Sequence, residues 1–274
     1  MGSNVGTMGA FDVGGFLVGP LVTALLAELF GFRAPFIALA VITAAFIPTI
    51  AKLPPDPGSA TNEKRVVRAL LALPEVRAML TCSFGWFSMI GVFEAVWAVM
   101  LTDRGAETWF VGVTMSLVML PMLFIAPFSG GWAQRFGPLR LVMGGVLFVV
   151  PLFLSYGWVS SLALITVLAT LQGAGDALVF PGTQVGMAMA GPANLTASAQ
   201  GLGGATLELT AGTMAVAAGL IYESSGPKPV FILGSARMIG GVLFAALMAR
   251  RVPSDHPMIY GSRSEAKDPL SVVA

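Results

Sequence analysis

Long apolar stretches dominate this chain, and short polar segments separate them. The apolar runs fall at approximately residues 7–29, 34–51, 77–101, 110–132, 138–156, 160–182, 197–222 and 229–249. Each run is close to the length of about 20 residues that a helix needs to cross a hydrocarbon core. Lipid offers the backbone no hydrogen-bond partners, and the runs lack the alternation of barrel strands, so each is predicted to be helical. The pattern predicts an all-α integral membrane protein with about eight transmembrane helices.

The composition supports a membrane environment. Only 11% of the residues are charged and the mean hydropathy is +0.84, whereas soluble domains carry about 25% charged residues. The lipid bilayer is therefore a predicted partner. A net charge of +1 gives no reason to expect nucleic-acid binding. Because the chain has one cysteine, Cys82, and its one histidine, His256, lies outside the spans, we predict no disulfide, metal or other cofactor.

Polar segments divide the chain into four predicted regions. Segment 64–73 has the pattern of an amphipathic helix on the membrane surface, and the residues after 250 are expected to be a disordered tail. The regions are the last two helices of an N-terminal bundle (1–52), a cytoplasmic linker (53–76), a six-helix C-terminal bundle (77–250) and a cytoplasmic tail (251–274).

Basic residues predict the orientation, because cytoplasmic loops are enriched in lysine and arginine. One side would hold Lys52, Lys64, Arg65, Arg68, Arg77, Arg135, Arg140, Arg250, Arg251, Arg263 and Lys267, and the other Arg33, Arg104 and Lys228. This asymmetry predicts a multi-pass protein of the plasma (inner) membrane with both termini in the cytoplasm. Tyr156 and three tryptophans fall at span ends, as expected of residues at the membrane–water interface.

An internal repeat is visible in the layout of two helix pairs. Residues 19–36 and 212–231 each read as a helix rich in small residues, an acid near its end (Glu28 and Glu223), a glycine turn, and proline with phenylalanine at the start of the next helix. Spans three to six have no such counterpart. If the repeat unit is six helices, as in transporters with two parallel halves, four N-terminal helices are missing.

A glycine–proline pattern in the first run carries a family resemblance. Gly15 and Gly19 form a GxxxG face that allows close helix approach, and Pro20 permits a bend. The segment resembles the fifth-helix motif of proton-coupled drug exporters in the major facilitator superfamily, although Thr23 and Ala24 replace its final two glycines. Ordinary tight helix packing is the alternative interpretation.

A second pattern resembles the cytoplasmic loop motif G-x-x-x-D-R-x-G-R-R of the same superfamily. The matching residues are Gly131, Arg135, Gly137 and Arg140. Gln134 replaces the acid, which removes the charge contact that the resemblance implies for gating, and Pro138-Leu139 interrupts the basic pair. The resemblance covers roughly residues 5–250 and implies helices five to twelve of a twelve-helix transporter.

Acids within the spans are the main functional candidates, because a charge at the bilayer centre costs at least about 2.5–3.5 kcal/mol. At helical spacing Glu94 would share one face with Phe87, Ile90 and Trp97. A carboxylate among aromatic rings is suited to a lipophilic cation, and burial favours the protonated form that a proton carrier needs. A protonated acid bonded to a neighbouring helix is the structural alternative.

Two further helices carry polar stripes. Gln172 and Asp176 are four residues apart, and Gln200 and Glu208 share a face with Gly204 and Gly212. Such stripes are expected to face the bundle interior or a water-filled cavity. The alternative is packing with interhelical hydrogen bonds.

Two other charges in spans complete the candidate set for the proton and substrate pathway. Asp12 lies near the cytoplasmic end of the first span and is able to reach the interface. Arg237 is the one basic residue within a span, and a structural ion pair with one of the acids is its favoured interpretation.

The leading hypothesis is a secondary active transporter that exports small lipophilic or cationic compounds in exchange for protons. The resemblance implies two bundles that rock about a central site, where a buried carboxylate alternates between proton and substrate. Uptake or symport of a small metabolite is one alternative, and a truncated chain without transport activity is another. An intramembrane enzyme is not expected, because no histidine lies in a span and the intramembrane aspartates form no paired motif.

Overall fold

The computed structural model describes residues 15, 18–50, 63–253 and 256–261. Its helices are α1 (Val18–Phe30), α2 (Ala34–Ile50), α3 (Glu63–Ala72), α4 (Pro74–Asp103), α5 (Thr108–Phe136), α6 (Pro138–Ser155), α7 (Leu162–Ala190), α8 (Thr196–Ser225), α9 (Pro227–Ala249) and α10 (Pro257–Tyr260). The predicted all-α class is confirmed. Six helices, α4 to α9, are long and apolar enough to cross a membrane, whereas α1 and α2 are shorter apolar helices over the described residues.

The long helices extend past the apolar runs that predicted them. Helix α7 continues to Ala190, although its apolar run ends near residue 182. A helix of 29 residues is about 43 Å long, which exceeds a hydrocarbon core of about 30 Å. In a bilayer the ends of a helix this long are expected to reach the polar headgroup region, where polar residues are tolerated.

Helix α4 organises the bundle. It packs most extensively against α9 and α8, while α5 and α6 pack against α7. A buried aromatic cluster at one end joins α4, α6 and α9 through Trp97, Phe153, Tyr156 and Phe231, with neighbouring ring centroids 5.0 to 6.0 Å apart. Edge-to-face rings of this kind add to the stability that comes from burial alone.

Glycines set the closest helix contacts. A Cβ atom at Gly85 or Gly241 would collide with the facing backbone in the α4–α9 contact. Gly91 likewise meets the backbone of Ala211 between α4 and α8, and Gly173 meets that of Val118 between α5 and α7. Such close approach increases van der Waals contact, which matters in lipid because burial from water does not drive helices together.

The two helix pairs of the predicted repeat each have a glycine with positive φ directly after the first helix. Gly31 between α1 and α2 has φ of 85°, and Gly226 between α8 and α9 has φ of 75°. Both values lie in the region that glycine adopts without a Cβ clash. The resemblance in layout therefore extends to this glycine, while the connections differ in length: residues 31–33 link α1 to α2, and Gly226 alone links α8 to α9.

The segment after α9 is packed rather than disordered over its described part. Met258 is buried against the core, and α10 contacts α5, α6 and α7. The backbones of Ile259 and Gly261 lie directly against Gly137 and Arg135 of the α5–α6 connection. The expectation of a disordered tail is thus corrected for residues 256–261. Burial of Met258, with Ile259 partly buried, stabilises this short segment against the bundle.

Candidate functional site

A chain of hydrogen bonds holds Asp176 inside the bundle. The indole Nε1 of Trp86 on α4 donates to Oδ1 of Asp176 on α7 at 2.8 Å, and Nε2 of Gln172 donates to Oδ2 at 3.2 Å. The hydroxyl of Tyr156 in turn donates to Oε1 of Gln172 at 2.9 Å. Gln172 and Tyr156 are buried, and Asp176 is half-buried. Two neutral donors therefore fix the orientation of one intramembrane carboxyl group, and Tyr156 holds one of them, Gln172, in place.

A narrow cleft lies between α4, α7 and α8, and Trp86, a donor to Asp176, forms part of its wall. Its lining is mostly aromatic or apolar: Trp86, Phe87, Phe180, Thr183, Gln184, Met187, Gln200, Gly203, Gly204 and Leu207. The enclosed space is about 30 Å³, which admits a water molecule. The buried hydroxyl of Thr183 has no hydrogen-bond partner among the described residues. Trp86 belongs both to the cleft wall and to the Asp176 hydrogen-bond chain.

The sequence-predicted residues Gln200 and Glu208 lie on the α8 side of the site. Gln200 is half-buried, lines the cleft and donates from Nε2 to the carbonyl of Gln184 at 2.9 Å. Gly204, Glu208 and Gly212 are exposed along the same side of α8. The predicted polar stripe is therefore continuous along the helix, with its cleft end partly covered.

Glu94 on α4 is exposed and close enough to Glu208 on α8 for electrostatic repulsion between the two carboxyl groups. Both lie in membrane-spanning helices, where an exposed carboxylate is strongly disfavoured against lipid. This exposed side of α4 and α8 is therefore suited to water or to another protein surface. The two acids belong to this side rather than to the Asp176 hydrogen-bond chain.

Trp97 departs from the expected shared face with Glu94. Its side chain is only 1% exposed, stacks on Phe93 at 4.4 Å and donates from Nε1 to Oγ1 of Thr114 at 3.2 Å. Because α4 is enclosed by neighbours on most sides, a residue less than one turn from Glu94 already lies in the core. Among the acids predicted for the pathway, Asp176 has an aromatic side chain bonded to it, that of Trp86.

Arg237 contacts α4, but not through an ion pair. Its Nε donates to Oγ of Ser88 at 2.9 Å, and its guanidinium lies 4.5 Å from the ring centre of Phe84. No acid of the described chain ranges lies within ion-pair distance of Arg237, so the favoured ion-pair interpretation is corrected for the described acids, while Asp12 lies outside them. A hydroxyl and an aromatic face stabilise this cation without the cost of desolvating a second charge.

The glycine–proline segment of α1 contacts α5 through a different set of atoms from those expected. The backbone of Pro20 and the side chain of Ala24 lie against Gly112, whereas no atom lies within 4 Å of a Cβ built on Gly15 or Gly19. The glycine that permits this contact is thus Gly112 on α5, not a glycine of the α1 motif. Asp12 lies outside the described residues.

The loop motif forms the connection between α5 and α6. Gly137, with φ of 91°, ends α5 and begins α6 at Pro138. The guanidinium of Arg140 lies 4.1 Å from the ring centre of Tyr260 in α10, while that of Arg135 lies 5.3 Å from Phe136. Gly131 is exposed on α5. The motif residues therefore support the packing of the post-α9 segment.

Trp86 and Tyr156 are the site residues that sequence reasoning missed. Tyr156 was expected at the membrane interface, but it is buried with 0% exposure. An indole N–H in mid-span and a buried phenol both require hydrogen-bond partners. This requirement is the feature of the sequence from which a polar contact of Trp86 could have been predicted. The sequence alone does not say which acid supplies the partner.

Comparison with known proteins agrees with this architecture. Residues 87–273 match the Major Facilitator Superfamily, and the chain belongs to this family of membrane transporters. It is 26% identical over 191 residues to the multidrug resistance protein MdtG of Escherichia fergusonii, an alignment covering 66% of this chain and 47% of that protein. It is 25% identical over 190 residues to the multi-drug resistance efflux pump PmrA homolog of Lactococcus lactis subsp. lactis, with coverage of 66% and 47%. The chain spans about half the length of these curated relatives.

Proposed function

We propose that this transporter exports small lipophilic or cationic compounds in exchange for protons. The observation that carries the proposal is the bond from Trp86 to Asp176, because it joins an aromatic cleft wall to an intramembrane acid. Aromatic faces attract organic cations, and an ionised carboxylate strengthens that attraction. The names of the two relatives, both multidrug resistance proteins, support the same substrate class.

In the proposed cycle Asp176 changes partner. Because the cleft as described admits only a water molecule, we propose that α4, α7 and α8 move apart when the ionised carboxylate attracts a lipophilic cation toward Trp86. Protonation of the same group removes the attraction and releases the cation. Proton entry down the membrane potential supplies about 2.3 kcal/mol per charge for each 100 mV. Glu94 and Glu208 provide a second acidic site on the exposed side of α4 and α8, where a proton or a cation is first received.

The lining favours this substrate class over a polar metabolite. Only Thr183, Gln184 and Gln200 contribute polar side chains to the cleft, whereas a sugar or small acid would need a denser set of hydrogen-bonding groups. We rank uptake or symport of a small metabolite second, since no contact in the described residues favours it.

We also propose the arrangement of the chain in the membrane. Helices α4 to α9 correspond to one bundle, α1 and α2 belong to a second, and the segment 53–76 links the two on the cytoplasmic side. Charge supports this orientation: Arg68, Arg77, Arg135, Arg140 and Arg251 all lie at one end of the six long helices. That end is placed in the cytoplasm by the positive-inside rule.

The decisive experiment is transport by the purified chain in proteoliposomes. We expect an imposed pH gradient to drive movement of tetraphenylphosphonium, and Asp176→Asn to abolish the drive because the amide carries no proton. Glu94→Gln is expected to abolish it as well. Glu223→Gln, an exposed acid at the end of α8, is the matched control and should retain the wild-type rate.

Either of two results would contradict the proposal. Wild-type proteoliposomes that accumulate no cation under the gradient would exclude proton-driven export by this chain. Full gradient-driven transport by Asp176→Asn would leave Asp176 with a structural role only. A thermal unfolding measurement on each variant separates loss of transport from loss of folding.

A further inference from the structure

Helix α3 has one anchored side and one open side. Leu70 is fully buried beside Gly191 at the end of α7, and Val66 is half-buried. Together they hold α3 against α4 and α8. The opposite side is exposed and forms an open groove lined by Lys64, Val67, Arg68 and Leu71. The helix is thus fixed to the bundle while its groove faces outward.

The open groove combines two cations with two apolar side chains. Lys64 and Arg68 are four residues apart, so their Cβ atoms are about 5–6 Å apart on one face. Val67 and Leu71 lie next to them and are 39% and 42% exposed. Among the described residues, neither Lys64 nor Arg68 makes an ion pair or a side-chain hydrogen bond. The two charges are therefore free to bind an anion beside an apolar surface.

The position of α3 next to a membrane-crossing helix indicates which kind of anion is available to this groove. Helix α3 ends at Ala72, and the membrane-crossing helix α4 begins at Pro74. The groove therefore lies where a membrane changes from headgroup to hydrocarbon. Anionic headgroups in this zone attract basic residues, and the acyl chains beneath them are the natural contact for exposed Val67 and Leu71.

We propose that the α3 groove binds an anionic phospholipid, with Lys64 and Arg68 on the headgroup phosphate and Val67 and Leu71 against the first part of an acyl chain. The bound lipid fixes α3 to the membrane surface. This site is independent of the transported substrate and of Asp176. Its occupant is defined by the combination of a phosphate charge and an attached hydrocarbon chain.

The test is a binding titration of the purified full chain in detergent with acyl-labelled phosphatidylglycerol. We expect the Lys64→Gln/Arg68→Gln double variant to weaken binding by at least about tenfold. Arg65→Gln is the matched control, because Arg65 is an exposed cation of the same helix that does not line the groove. It should weaken binding by less than about twofold, since it contributes only to the general charge of the helix.

Competition experiments distinguish a lipid from a free phosphate. Unlabelled phosphatidylglycerol should displace the probe, while phosphatidylcholine and water-soluble glycerol phosphate at the same concentration should not. The proposal is overturned if wild type binds no probe, if Arg65→Gln weakens binding as much as the double variant, or if glycerol phosphate competes as well as the lipid. Since all three cations are exposed, equal melting temperatures are expected, and unequal ones would contradict the described surface position.

Discussion

Helices α4 and α8 have the same length and pack against each other, yet they meet very different surroundings. Each has 30 residues. In the most apolar stretch of α4, 61% of the residues are buried, whereas in that of α8 only 22% are buried. Helix α4 packs against neighbouring helices on several sides. Helix α8 has an exposed stripe formed by Gly204, Glu208 and Gly212. Apolar content alone does not decide which helix is central, because the most apolar stretch of α5 is more apolar than that of α4 and yet only 28% of it is buried.

The exposed stripe on α8 is informative because lipid is a poor environment for it. Small residues leave backbone accessible, and a carboxylate in hydrocarbon is costly. By contrast, exposed leucines such as Leu243 on α9 suit acyl chains. We infer that the two exposed surfaces have different partners: water or protein beside the side of α8 that carries Gly204, Glu208 and Gly212, and lipid beside the exposed leucines of α9.

The largest expected effect is on the contact between α4 and α8. Gly91→Ala places a methyl group against the backbone of Ala211, and overpacking of this kind costs about 1–3 kcal/mol. We expect a clear fall in the melting temperature of the detergent-purified chain. Gly212→Ala is the control, since a Cβ there meets nothing within 4 Å, and it should be neutral or stabilising. Equal effects of the two variants would refute the close helix approach.

A labelling experiment sharpens the distinction between the two exposed surfaces. Cys82, the one native cysteine, is fully buried, so the wild-type background should be unreactive. In lipid nanodiscs, Glu208→Cys is expected to react with a charged methanethiosulfonate at least about tenfold faster than Leu243→Cys, because ionised reagents are excluded from hydrocarbon. Similar rates at the two positions would show that the α8 stripe faces lipid.

The smallest expected effect concerns the post-α9 segment. Tyr260→Ala removes the ring beneath Arg140, an interaction of about 0.5–1 kcal/mol at an exposed site. Hydrogen exchange of residues 256–261 should accelerate several-fold, with little change in the melting temperature. Arg135→Ala provides the comparison, as the guanidinium of Arg135 lies over Phe136 rather than over Tyr260. Unchanged exchange in Tyr260→Ala would mean that buried Met258 alone holds the segment.

Much of the membrane architecture could be predicted from the sequence. Apolar runs long enough to span gave the helices, and glycines with prolines gave the turns at Gly31, Gly137 and Gly226. Segment 64–73 was predicted to be an amphipathic helix, and α3 confirms a helix there. These features are local, since span length and turn chemistry depend on neighbours in the chain. The roles of the candidate acids stay predictions.

Only the tertiary structure decided which side of each helix faces the protein. Apolar side chains surround most of these helices, so no stripe separates the protein-facing side from the lipid-facing side. The sequence alone thus grouped Trp97 with Glu94, but packing enclosed Trp97 in the core and left Glu94 exposed. Packing also brought Trp86 to Asp176 across 90 residues. The sequence by itself determined a membrane-spanning helical chain with acids in its spans, because those properties follow from local composition. Which acid is bonded to the tryptophan of the cleft wall followed from long-range contacts between helices.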